Sequence, residues 1–147
     1  NHPYNLFVAG FIGSPQMNLF DSKLVKVDGK YAVELGGMTV ELSEDKQAAL
    51  TKNNAPEGAI KLGVRPEHIV LAEEGGVDSK IDVSEMMGSS VHLHVSALGK
   101  DVVIVISTMN MTGAEVAALS SGREVKFSFG GNVVHMFGKE TGINLEA

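Results

Sequence analysis

At 147 residues the chain suits one domain or two small interlocked lobes, burying roughly two thirds of its unfolded surface. Its 12 basic and 18 acidic residues leave a net charge of −6, which gives phosphate backbones no overall attraction and sets nucleic-acid binding aside. Cysteine is absent, so disulfides and thiolate chemistry are excluded, and 44% hydrophobic with 20% charged residues is a globular balance for which a cytoplasmic setting is expected.

Between Pro3 and Pro15, the residues Leu6, Phe7, Phe11 and Ile12 recur at helical spacing, with Gly13 as an exit signal. Residues 1–16 are therefore expected to form a short apolar helix. Asn1-His2-Pro3 is not basic and no long apolar block follows, so no secretory leader is read here. Residues 17–27 predict a strand bent near Asp21-Ser22, and Asp28-Gly29 a tight turn into a partner at 31–35. After Gly36-Gly37 comes a short strand at 38–42. Ser43 can cap a helical turn carrying Ala48, Ala49 and Leu50, which the turn formers at 53–58 break.

Residues 59–64 and 69–72 read as strands on either side of Arg65-Pro66-Glu67-His68, and Glu73-Glu74-Gly75-Gly76 as an exposed acidic turn. Residues 77–87 alternate Val77, Ser79, Ile81, Val83 and Glu85, the pattern of a long half-buried strand. A hairpin about Gly99-Lys100 joins 90–98 to 101–107, whose second arm is nearly all Val and Ile. Residues 109–119 predict a loop with one helical turn at 114–119. A strand pair at 125–129 and 133–137 turns about Gly130-Gly131, and 143–145 is a candidate terminal strand. About nine or ten short strands with 17 glycines, mostly at turns, predict an all-β barrel or sandwich.

Chemistry-bearing patterns are few. Gly99-Lys100 and Gly138-Lys139 lack the leading glycine and the following hydroxyl of a phosphate-binding loop, so ATP hydrolysis by this chain alone is not expected. His92 and His94 fall on one strand face and could share a metal ion, but neither His68 nor His135 is identified as a third ligand, and no metal site is assigned. No nucleophile elbow occurs. Met86-Met87 and Met109-Asn110-Met111 suit a core or an adaptable contact surface. Arg65 and Glu67, flanking the fixed Pro66, are expected to hold a structural loop by hydrogen bonds.

Four segments carry a family resemblance. Pro3, Phe7-Val8-Ala9, Phe11-Ile12-Gly13-Ser14-Pro15 and Met17-Asn18 resemble the junction that follows the nucleotide-binding domain in ATP-binding subunits of ABC sugar importers. Leu62-Gly63-Val64-Arg65-Pro66-Glu67-His68, Glu85-Met86-Met87-Gly88-Ser89 and Val134-His135-Met136-Phe137 through Thr141-Gly142 are similar to later segments of that family, in the same order. Ser90 departs from it, standing where an acidic residue is common.

The resemblance implies an accessory C-terminal domain of the maltose, glycerol-phosphate and multiple-sugar branch, with the OB-type fold called the transport-associated OB, or TOBE, domain. Residues 1–16 would be the linker helix from a nucleotide-binding domain outside this chain, and 17–147 the regulatory domain. It implies no cofactor here, since ATP and magnesium belong to that other domain. Implied partners are a second copy of the ATPase subunit, the transmembrane permease subunits and a cytosolic regulatory protein. The parent would sit in the cytoplasm against the inner face of the membrane. Family contact positions fall on Leu19, Gly58, Gly63 and Glu85 for a regulator and on Gly130 for subunit pairing. The rival reading is an OB module sensing a small oxyanion or a sugar.

Overall fold

Alternation of apolar and polar residues resolves into ten antiparallel strands across residues 17–139 and 141–146, the part of the chain that the computed structural model describes. The strands are β1 (Asn18–Val27), β2 (Lys30–Leu35), β3 (Met38–Glu41), β4 (Gly58–Val64), β5 (Val70–Ala72), β6 (Val77–Met87), β7 (Ser90–Ala97), β8 (Lys100–Ser107), β9 (Glu124–Ser128) and β10 (Val134–Gly138). Two helices accompany them, α1 (Glu44–Lys52) and α2 (Gly113–Ala117), with a 3-10 turn at Pro66–His68. The helix expected over residues 1–16 lies outside the described residues.

The chain divides into two units. One runs up to Arg65 and resumes at Phe129; the other is the continuous stretch Pro66–Ser128. Each contains one five-stranded sheet, ordered β10-β4-β1-β2-β3 in the first and β5-β9-β6-β7-β8 in the second.

In the first unit, β1 turns Phe20, Ser22 and Leu24 inward. Ser22 can be buried because its hydroxyl donates to the Glu34 carbonyl at 2.6 Å, so no polar group is stranded. The register of β1 with β4 runs unbroken from Asn18 to Leu24, so the bend expected at Asp21-Ser22 does not interrupt the ladder with β4, and pairing with β2 begins just beyond it at Lys23. Asp28 and Gly29 both adopt positive φ, at 54° and 81°, as the two-residue hairpin turn requires.

Helix α1 is longer than the single turn the sequence suggests. Ser43 occupies its N-cap position, but its side chain makes no capping bond. Instead α1 is fastened through Gln47, whose side-chain amide accepts from the Tyr31 N–H at 2.7 Å and donates to the Tyr31 carbonyl at 2.7 Å. The Tyr31 hydroxyl donates to the Ala55 carbonyl at 2.7 Å, which satisfies a buried phenol. Lys46, only 5% exposed, forms an ion pair with Glu146 at 2.8 Å. The terminal segment also runs beside β10, where the Leu145 N–H donates to the Met136 carbonyl at 2.9 Å.

The second unit packs Val77 and Ile81 of β6, Val91, Leu93 and Val95 of β7, Val102 and Ile104 of β8, and Phe127 of β9 into its core. A bulge between Ile81 and Val83 shifts the register of β6 against β7. The β7–β8 turn is Leu98-Gly99, one residue earlier than expected, because Ala97 pairs with Lys100. Leu98 therefore takes φ 54°, a conformation that costs a leucine what it does not cost asparagine or glycine. Helix α2 starts one residue before the expected turn. Thr112 and Glu115 cap it reciprocally, and none of its residues is buried.

Candidate functional site

In the first unit the sheet register joins two of the expected contact residues. Leu19 on β1 and His135 on β10 both pair with Gly63 on β4, making one row across three strands. Leu19 is partly buried against Met17 and Phe137. Gly63 itself is buried: a Cβ there would come within 2.7 Å of the Met17 sulfur, so glycine is what lets that side chain lie across β4. Gly58 is apart from them, exposed at the opposite end of β4 and opposite Leu24, with φ 138°.

Gly130 is exposed in the loop between β9 and β10, which belong to different sheets rather than forming the expected strand pair, and a Cβ there would come within 2.6 Å of the Asn132 side-chain oxygen, which would have to swing aside. Its neighbour Gly131, which the sequence reading passed over, is the constrained member of the pair. Its carbonyl accepts from the Ser43 N–H at 3.3 Å, and any Cβ would run into the backbone carbonyl of Glu41. The signal was the Gly-Gly doublet, but only the fold says which glycine is pressed against backbone.

At Arg65–Pro66 the chain passes from the first unit into the second. Pro66 is buried and its carbonyl accepts from the Ile69 N–H at 3.4 Å. Neither the Arg65 guanidinium nor the Glu67 carboxylate makes a side-chain hydrogen bond or ion pair among the described residues. The loop rests on Pro66 and its backbone, not on the side-chain bonds expected of its neighbours.

In the second unit Glu85 stands on β6 directly opposite His92 of β7. One of its carboxylate oxygens lies 2.7 Å from Nε2 of His94, the diagonal neighbour. His92 and His94 do share the half-buried face of β7, opposite Val91, Leu93 and Val95. Among the described residues, no three His, Asp or Glu side chains are grouped to hold a metal ion. The Glu85–His94 pair was invisible in the sequence because it depends on the cross-strand register beyond the bulge. Met86, Met87 and Met109 are 59%, 51% and 80% exposed, so they belong to the surface rather than the core.

Two antiparallel five-stranded sheets define the chain as an all-β domain of the OB type. The family profile described as "MalK OB fold domain" matches residues 13–69, and that described as "TOBE domain" matches residues 62–137. The chain belongs to the TOBE domain family.

Its relatives include the sn-glycerol-3-phosphate import ATP-binding protein UgpC of Ruegeria sp. strain TM1040, 34% identical over 97% of this chain and 35% of that protein. The oligosaccharides import ATP-binding protein MsmX of Bacillus subtilis is 29% identical over 97% of this chain and 38% of that protein. The chain thus spans little more than a third of the length of these curated relatives. Among solved structures, the cytoplasmic molybdate-binding protein ModG, with molybdate bound, matches with a TM-score of 0.59 at 11% identity, over 81% of this chain and 94% of that one. At that identity the likeness is one of fold.

Proposed function

We propose that this chain is the non-catalytic C-terminal regulatory and pairing domain of the ATP-binding subunit of an ABC carbohydrate importer. The observation that carries the reading is that 97% of the chain aligns with only 35% of an importer ATP-binding protein. A piece of that size, built of OB-type sheet, is an accessory domain, and residues 1–16 are the linker from the nucleotide-binding domain. ATP and magnesium act in that domain and not here. No helix among the described residues is long and apolar enough to cross a membrane. In this reading the parent is cytoplasmic, meets the membrane through its permease subunits and pairs with a second copy of itself.

In the first unit, Leu19, on the row that passes through buried Gly63, and exposed Gly58 are the contacts for a cytosolic regulatory protein; Glu85 is a separate contact on the second unit, and exposed Gly130 faces the second subunit. Sedimentation of the chain over a concentration series tests the pairing role. A monomer–dimer equilibrium in the micromolar to millimolar range is expected, and a strict monomer at millimolar concentration overturns it.

The rival reading, a module for a small oxyanion or sugar, starts from the OB-type fold shared with a molybdate-binding protein. One groove of the second unit sets Lys80, Arg123 and Lys126 against Glu73, Asp78, Glu115 and Glu124, one carboxylate in excess. That excess of carboxylates repels a divalent anion. Calorimetry with molybdate, sulfate and oligosaccharides separates the readings: no heat is expected, and saturable binding of any of them favours the sensor.

A further inference from the structure

The seven methionines divide between the two units. Met17, Met38 and Met136 of the first unit are buried, at 8%, 6% and 0% exposure. Met86, Met87 and Met109 of the second are exposed, and Met111 is half-buried. Met86 and Met111 line a single apolar groove together with Val83, Val116 and Leu119.

Met111 has a particular place in that groove. It directly precedes Thr112, the N-cap of α2, and Val116 is the fourth helical residue after the cap. Those are the two positions of a hydrophobic staple, which fixes the angle at which a chain enters its helix. Helix α2 spans five residues and buries none of them. Too short to persist by itself, it is supported by the Thr112–Glu115 capping box, by Arg123, which donates to the carbonyl of the C-cap Ala118 at 2.9 Å, and by the staple positions that line this groove.

We propose that Met111 is an oxidation site through which peroxides loosen α2. The oxidant is hydrogen peroxide or an organic hydroperoxide. The sulfur lone pair attacks one peroxide oxygen and the O–O bond breaks as the S–O bond forms. Sulfur is oxidised by two electrons, and the peroxide leaves as water or alcohol after taking up the proton. The thioether is thereby replaced by a polar sulfoxide. A sulfoxide is poorly accommodated against the apolar Val116 side chain, so it turns outward to water and the staple opens. The first unit is spared because its methionines are covered, and sulfoxide reductases return the second to its starting state.

The test treats the folded chain with graded hydrogen peroxide, maps sulfoxides by peptide mass spectrometry and follows amide exchange over residues 113–119. Met86, Met87, Met109 and Met111 should oxidise at least about tenfold faster than Met17, Met38 and Met136, since susceptibility follows exposure. Exchange over 113–119 should rise with the Met111 sulfoxide fraction and fall back after reductase treatment. Met111→Leu keeps an apolar staple without sulfur, so its exchange should ignore peroxide. The triple variant Met86→Leu/Met87→Leu/Met109→Leu should remain sensitive. The proposal is overturned if Met111 oxidises only with the buried set, if its full oxidation leaves exchange unchanged, or if Met111→Leu still responds.

Discussion

The two units solve the same problem, a five-stranded antiparallel sheet, in different ways. The first is cross-braced by side chains: Gln47 clamps the Tyr31 backbone, Tyr31 reaches Ala55, and Lys46 meets Glu146 out of water. The second concentrates its apolar packing within the sheet, and leaves α2 and its methionines on the surface. Polar bonds inside the first unit specify where the helix and terminal segment must lie. In the second, α2 itself buries no residue, and side-chain bonds such as Arg123 to the Ala118 carbonyl and Ser121 to the Asp82 carbonyl tie the chain just after it.

The largest break in that comparison should come from Lys46→Ala, which strands Glu146 as a buried charge and should cost about 3–5 kcal/mol by chemical denaturation. Lys46→Met with Glu146→Leu should restore most of it, because a matched apolar pair needs no counter-charge. Amide exchange sharpens the point: the single variant should open residues 17–65 and 129–146 while 66–128 stays protected. Equal loss across the chain would mean that the units do not open separately.

Gly131→Ala comes next, at about 1–3 kcal/mol, since the new methyl meets backbone that cannot move aside. Gly63→Ala should cost less, because the end of the Met17 side chain can swing away. Thermal unfolding of the two variants compares them directly, and the reverse order would show that the row under Met17 is the more rigid.

Gly130→Lys should lower the melting temperature only slightly, by displacing the Asn132 side chain, but weaken self-association about tenfold, or 1.4 kcal/mol, in a sedimentation series. An unaltered dimer constant would remove Gly130 from the pairing surface. Leu98→Asn is the smallest effect and has the opposite sign. Releasing a half-exposed leucine from φ 54° should stabilise the chain by about 0.5–1 kcal/mol in urea denaturation.

The strands were the legible part of this sequence, because alternation over β6 and β7 depends only on neighbouring residues. The Asp28-Gly29 turn was legible for the same reason. Leu98-Gly99 was not, since leucine is a poor residue for positive φ and tertiary pairing overrode that preference. The buried ion pair was out of reach: Lys46 reads as a solvated helix residue until a partner 100 positions away is brought to it. Glu85 was picked out by resemblance, but its bond to His94 needed the register beyond the bulge. Methionine is compatible with core and surface alike, so only the fold could assign Met86 and Met109 outward.

The nested arrangement of the units has a consequence for the order in which the protein can be made. A ribosome delivers residues 66–128, a complete sheet, before it delivers the strand that β4 needs on its free side. The inner unit can therefore close while the outer one is still open, reversing the usual order in which N-terminal units finish first. Until Glu146 emerges, Lys46 remains a charge on an unfinished surface. The segment around Glu146 is what seals the first unit.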